Sequence, residues 1–130
     1  MYVAGQWRGA SNGEKSEVIN PATAEVIATI PAATAEDVEQ CIASSRAAFE
    51  SKEWSLMDPA ERGRVLNRMA QATYAQAKNL AVIESSNNGK TFKEALSEIR
   101  YGAWTLEYFA GLSDKIEGST IPVRSEEHTS

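Results

Sequence analysis

The sequence is short of the residues that carry most covalent and metal chemistry. It has 130 residues with one cysteine and one histidine. No intramolecular disulfide can form, and a Cys–His pair or a His-rich metal site has a single histidine to draw on. That residue, His128, stands in the last seven positions. No apolar run approaches the roughly 20 residues of a membrane span. Positive charge is sparse: 13 Lys and Arg against 18 Asp and Glu give a net charge of −5. With no dense basic stripe, neither nucleic acid nor an anionic membrane is expected as a partner. The start, Met1-Tyr2-Val3-Ala4-Gly5, has neither the basic flank nor the apolar stretch of a signal peptide. The expectation is a soluble protein of a reducing compartment, the cytoplasm. There is no GxGxxG, no CxxC, no internal repeat and no low-complexity tract.

What is present reads as a globular chain. Apolar residues make up 42% and charged residues 24%, close to globular averages, and the length suffices for one core. Residues 1–31 read as short strands forming a small antiparallel β unit. Tyr2-Val3-Ala4 leads into Gly5-Gln6-Trp7, then Glu17-Val18-Ile19 stops at Asn20-Pro21, and Val26 to Ile30 stops at Pro31. Proline donates no ladder hydrogen bond, which gives both stops a cause.

Residues 34–115 read as helices. Thr34 is a cap, with Glu36 and Asp37 in the positive first turn. Val38, Cys41, Ile42, Ser45 and Phe49 then share one face at helical spacing. Asp58-Pro59-Ala60-Glu61 is a stronger start signal, an Asp cap followed by proline at the first helical position. Val65, Leu66, Met69 and Ala70 are its expected buried stripe. A bend is expected near Gln76–Asn79, and Asn88-Gly89 suits a left-handed C-terminal cap. The last helix, roughly Lys93 to Asp114, carries two apolar stripes: Ile99, Ala103, Leu106 and Ala110, and Tyr101, Trp104, Tyr108 and Leu112. A helix apolar on several sides is normally enclosed by neighbours, and the preceding residues offer few.

Each candidate for chemistry has a plainer explanation. Gly89-Lys90-Thr91 is like the end of a phosphate loop, but Glu84 stands where that motif needs a glycine, and the segment follows a helix rather than a strand. A helix cap followed by a solvated lysine accounts for it. Cys41 lies on an apolar stripe and reads as a small buried hydrophobe rather than a nucleophile. Glu36 and Asp37 serve a helix start, and Glu126 and Glu127 stand in the polar tail. Trp7, Trp54 and Trp104 lie in three separate segments and read as core. No catalytic and no cofactor-binding residue is assigned.

Four segments, in order, resemble the aldehyde dehydrogenase superfamily: Tyr2 to Trp7; Ile19-Asn20-Pro21-Ala22-Thr23 with Val26 to Pro31; Trp54, Pro59-Ala60-Glu61-Arg62 and Leu66; and Glu84 to Lys90 with Tyr108-Phe109-Ala110-Gly111. The resemblance covers residues 1–123 and is closest in tone to the nonspecific and betaine-aldehyde-like branches. It implies an α/β parent with a Rossmann-like cofactor domain, of which this chain is a mainly helical N-terminal fragment with residues 120–123 starting a further strand. It implies NAD or NADP as the parent's cofactor, none for the fragment, a small aldehyde substrate and a homo-oligomeric parent. In such enzymes a cysteine thiolate attacks the carbonyl, hydride passes to the nicotinamide, and a glutamate activates water. Those groups are expected beyond this stretch, so the chain alone is expected to be inactive. Some members hold Na⁺ or K⁺ between an early-strand carbonyl and an Asp before the Gly-Lys. The matching positions are Val18, Ile19 and Asn87, with asparagine in place of the anionic ligand that a hard cation prefers.

Residues 124–130, Arg-Ser-Glu-Glu-His-Thr-Ser, are polar and aperiodic. They are similar to a sequencing-library adapter translated as protein and read as a non-native tail. The residues also admit a second reading: a short helical interaction protein that docks on a partner through an exposed apolar helix.

Overall fold

The computed structural model describes residues 1–120. His128, the tail at 124–130 and the strand start expected at 120–123, apart from Thr120, lie outside the described residues. Four short strands precede three helices: β1 (Tyr2–Val3), β2 (Gln6–Trp7), β3 (Lys15–Ile19), β4 (Val26–Pro31), α1 (Ala35–Glu50), α2 (Pro59–Asn88) and α3 (Phe92–Leu112).

Turn chemistry divides the strands into two hairpins instead of one β unit. Ala4 and Gly5 both take positive φ, 51° and 79°, the geometry of a two-residue turn that matches strand twist. It sets Tyr2 opposite Trp7, with the rings edge to face at 5.2 Å. In the second hairpin the Asn20 side chain accepts from the Ala22 amide at 2.9 Å, and the backbone Asn20 N–H donates to Glu25 O at 2.9 Å. The pairing is irregular between Val18 and Ile19, which face Ala28 and Val26. Pro31 belongs to β4 opposite Lys15, an edge position that needs no donor.

All three helix starts follow their sequence signals. Thr34 and Asp37 form a reciprocal capping box on α1, and Thr91 and Glu94 form another on α3. Asp58 accepts from the Ala60 amide at 2.9 Å to start α2. Glu61 takes no part in a box there and pairs instead with Arg64. Gly89 ends α2 in the left-handed conformation, φ 81°, its N–H reaching Ser85 O at 2.9 Å. The bend expected near Gln76–Asn79 is absent, and α2 is continuous through it. Ala77 is buried there, so packing overrides the weak local preference of its polar neighbours.

α2 and α3 make the main tertiary contact and form a helical hairpin. Their buried residues are small: Gly63, Ala70, Ala77 and Ala81 on α2, Ala95 and Ala103 on α3. Gly63, Ala70 and Ala77 recur every seven residues, the repeat that keeps one face of a helix against a partner. At Gly63 a Cβ would stand 2.7 Å from the Ala110 carbonyl oxygen, so the backbones approach where only glycine fits. Val65 and Leu66 are half-buried and Met69 is exposed, which corrects the expected stripe: the seam is made of small side chains.

α1 rests on β1. Val3 is buried, and a polar knot on Asp37 ties the first loop to the helix. Its expected apolar stripe is exposed at Val38, Ile42 and Phe49. The periodicity is right; among the described residues no other element covers the face.

Candidate functional site

Asp37 is the largest fully buried side chain. Its Oδ2 accepts from the Thr34 amide at 3.0 Å, the Ser11 amide at 3.1 Å, and both hydroxyls. Its Oδ1 pairs with Arg8 Nη2 at 3.1 Å, while Arg8 Nη1 donates to Gln40 at 2.7 Å. The backbone hydrogen bonds from Thr34 and then Ser11 outweigh desolvation and lower the Asp37 pKa to about 2. A carboxylate so held cannot take up a proton near neutral pH. It is a clamp, and its place three residues after Thr34 was a readable sign of a capping box.

The Gly89-Lys90-Thr91 run serves three structural purposes. Gly89 caps α2 and Thr91 caps α3. The Lys90 ammonium is hydrogen-bonded to Glu98 and lies 3.5 Å from Glu84. The bond to Glu98 raises its pKa more than burial lowers it. Lys90 is therefore half-buried and ion-paired rather than solvated, and an incoming phosphate would meet two carboxylates.

The other polar group on the hairpin is Glu107, which accepts from Gln71 at 2.8 Å and from the Tyr74 hydroxyl at 3.2 Å. Burial, and then the Glu107 carboxylate, raise the Tyr74 pKa. These bonds fix α3 against α2 and leave Glu107 no free role as a base.

The three residues matched to a cation site fall on two elements. Val18 is half-buried and Ile19 exposed at the irregular step of β3, while Asn87 is exposed in the last turn of α2. The β3–β4 turn meets that end of α2, because Pro21 Cγ lies 2.9 Å from where a Cβ on Gly89 would stand. Among the described residues no group of three or more His, Cys, Asp and Glu could hold a metal ion.

Cys41 is half-buried rather than enclosed. It lies in the wall between two grooves, one of about 260 Å³ beside Tyr2 and Ser44, the other of about 390 Å³ beside Ile42 and Phe49. No histidine is among the described residues to activate it. A dinucleotide finds no cradle either. Each helix N-terminus that might take a pyrophosphate is already filled by a carboxylate of its own chain: Asp37 on α1, Asp58 on α2 and Glu94 on α3. No helix of the described residues is long and apolar enough to cross a membrane.

The most extensive feature is apolar. Every tryptophan and phenylalanine is exposed. On α3 the rings of Tyr101, Trp104 and Tyr108 stack at 5.4 and 5.9 Å, with interplanar angles of 28° and 29°. Phe109 meets Tyr108 edge to face at 5.3 Å. Beside this strip runs a groove of about 400 Å³ lined by Trp54, Leu66, Phe109, Leu112 and Ile116. Arg62 holds its far wall through the carbonyls of Trp54, Ser55 and Met57, the last at 3.1 Å. The expected core tryptophans are surface residues here, and the second stripe of α3 is uncovered as its sequence indicated.

Comparison with known proteins bears on what that face belongs to. The sequence model of the Aldehyde dehydrogenase family matches residues 7–130. The chain is 40% identical over 124 residues to the cytosolic 1 aldehyde dehydrogenase of Rattus norvegicus, covering 94% of this chain and 25% of that one. It is 36% identical over 124 residues to the cytosolic 10-formyltetrahydrofolate dehydrogenase of Xenopus tropicalis, covering 95% of this chain and 14% of that protein. Among solved structures, the betaine aldehyde dehydrogenase of Staphylococcus aureus in complex with NAD⁺ superposes with a TM-score of 0.87 at 35% identity, over 94% of this chain and 24% of its own. The chain thus spans about a quarter or less of the length of these relatives.

Proposed function

The chain belongs to the aldehyde dehydrogenase family, and from that premise we propose that it forms the N-terminal layer of an NAD(P)-dependent enzyme that oxidises a small aldehyde to a carboxylic acid. The complete enzyme is read as a cytoplasmic homo-oligomer, in keeping with the cytosolic relatives. On this reading residues 1–123 belong to the cofactor-binding domain, residues 124–130 are a foreign tail, and the chain itself supplies no group that makes or breaks a bond.

One observation carries the reading. The side chains are distributed inside out, with alanines in the seam and every tryptophan and phenylalanine on the surface. A chain that folds to completion alone buries its large apolar groups. The family assignment supplies the reason they are outside: the rest of the fold is elsewhere. NAD⁺ in the S. aureus relative supports a nicotinamide cofactor for the complete enzyme. The residues of this stretch do not fit that cofactor, since their helix ends are filled, and we assign them no contact with it. A monovalent cation on Val18, Ile19 and Asn87 is a secondary part of the reading, resting on neutral oxygen donors alone.

A graft tests it. Residues 1–120 replace the matching quarter of the S. aureus enzyme, and NAD⁺ reduction with betaine aldehyde is followed. The graft is expected to bind NAD⁺ and turn over, and the 130-residue chain alone to do neither. Aldehyde-dependent NAD⁺ reduction by the pure chain, or a folded graft that has lost NAD⁺ binding, would overturn the proposal.

A further inference from the structure

We infer that the aromatic strip of α3 and the groove beside it are the seat of the polypeptide that follows this stretch in the complete enzyme, and not a surface for solvent or for a second copy of the chain. The inference rests on the family reading above.

The area to be covered is large. The chain exposes 10390 Å², whereas a compact monomer of 14.1 kDa exposes about 6,700 Å². An allowance of about 1,600 Å² for the ten residues outside the description, at the per-residue area of an unfolded chain, leaves an excess of roughly 2,100 Å². That is the scale one partner contributes to an obligate interface rather than to a transient one.

The strip has the form of an internal seam. Tyr101, Trp104 and Tyr108 stand at i, i+3 and i+7 on one face of α3, and their near-parallel rings make a flat apolar surface. The adjoining groove is assembled from three segments: Trp54 before α2, Leu66 within it, and Phe109, Leu112 and Ile116 at the end of the chain's last helix and just beyond. It is a concavity with apolar walls, wide enough for large side chains.

Position selects the occupant. Ile116 lies in the groove, only a few residues before the polypeptide leaves the described part of the chain. Whatever follows it in the complete enzyme is tethered at the mouth of the groove. A short tether gives an effective concentration in the millimolar range, far above that of a separate molecule at cellular levels. In the cytosolic relative about three quarters of the polypeptide lies outside the matched stretch, ample to cover the excess area. A second copy has no such advantage and would bring together two chains of net charge −5.

Hydroxyl-radical footprinting reads the face directly, by mass-spectrometric oxidation of Trp104, Tyr108, Phe109 and Ile116 in the 130-residue chain and in the graft. Oxidation is expected in the chain and to fall at least about fivefold in the graft, the change from half-exposed to interface core. Equal oxidation in a graft that binds NAD⁺ would sink the inference and leave the family reading standing. Protection in the chain alone, with concentration-dependent dimers in sedimentation, would name the second copy as occupant and overturn it as well. Where the graft does not fold, the same footprint is taken on the chain mixed with the S. aureus enzyme lacking its matching quarter. Protection there supports the inference, and its absence counts against it.

Discussion

Replacing Gly63 by alanine puts the α2–α3 seam to a quantitative test. In an exposed helix interior, Gly→Ala is favourable by about 1 kcal/mol. At Gly63 the new Cβ would stand 2.7 Å from the Ala110 carbonyl oxygen and 3.4 Å from Ser113 Cβ. The nearer atom belongs to the backbone, so relief requires α3 to move away from α2, and overpacking of this kind costs about 1–3 kcal/mol. Net destabilisation of roughly 1 kcal/mol is expected, with the propensity gain already subtracted. Gly102, in the middle of α3, is the matched control. A Cβ there meets nothing within 4 Å, so Gly102→Ala is expected to stabilise the isolated chain by about 1 kcal/mol. The two variants should therefore differ by about 2 kcal/mol, or on the order of 10 °C in midpoint for a domain of this size. Thermal and urea melts of the 130-residue chain at 222 nm, at low concentration, measure both. If Gly63→Ala melts with or above Gly102→Ala, the two helices do not meet as described, and the seam of small residues is wrong.

Two further outcomes follow from single sites. The Asp37 pKa of about 2 lies below its ordinary value because hydrogen bonds hold the ionised form. Its stabilising contribution is then complete above the unfolded value near pH 4 and fades as pH falls towards 2. Carboxyl ¹³C titration should place Asp37 well below the other aspartates, with α1 amides losing exchange protection over that window, and a normal titration near pH 4 would refute the clamp. At the cation positions, exchanging choline chloride for NaCl or KCl at equal ionic strength should raise the melting midpoint slightly in the native chain and more in Asn87→Asp, which supplies an anionic oxygen. Midpoints indifferent to the cation in both proteins would remove that site.

The parts of the fold legible in the sequence are those fixed by a few adjacent residues. Thr34, Asp58-Pro59 and Asn88-Gly89 mark helix ends correctly because a cap is a local hydrogen-bonding problem. The parts misread depend on what packs where. The Gln76–Asn79 stretch looked like a pause because polar residues interrupt the apolar pattern, yet Ala77 is buried and holds the helix straight through. The seam escaped a search for large apolar side chains, although Gly63, Ala70 and Ala77 spell it out every seven residues. The stripe on α1 was read correctly as a stripe and wrongly as buried, and Cys41 with it. Periodicity reports which side chains share a face; it cannot report whether anything covers that face.

That distinction is also what makes the exposed rings informative. Each alanine methyl sealed into the seam contributes about 0.8 kcal/mol, whereas full burial of a phenylalanine-sized side chain contributes about 1.5–3 kcal/mol. The larger share of this chain's potential apolar stabilisation therefore lies on its outside, in Trp104, Phe109, Ile116 and their neighbours. The interactions completed within the described residues are geometric ones: three capped helices, a glycine contact at Gly63, and the Asp37 and Glu107 hydrogen-bond clusters. They give the layer its shape and leave most of the apolar contact to the polypeptide that meets it. On that account, truncating a seam residue should change how the layer is formed, whereas a charge at Trp104 should leave its helicity intact and impair its joining to the rest of the enzyme.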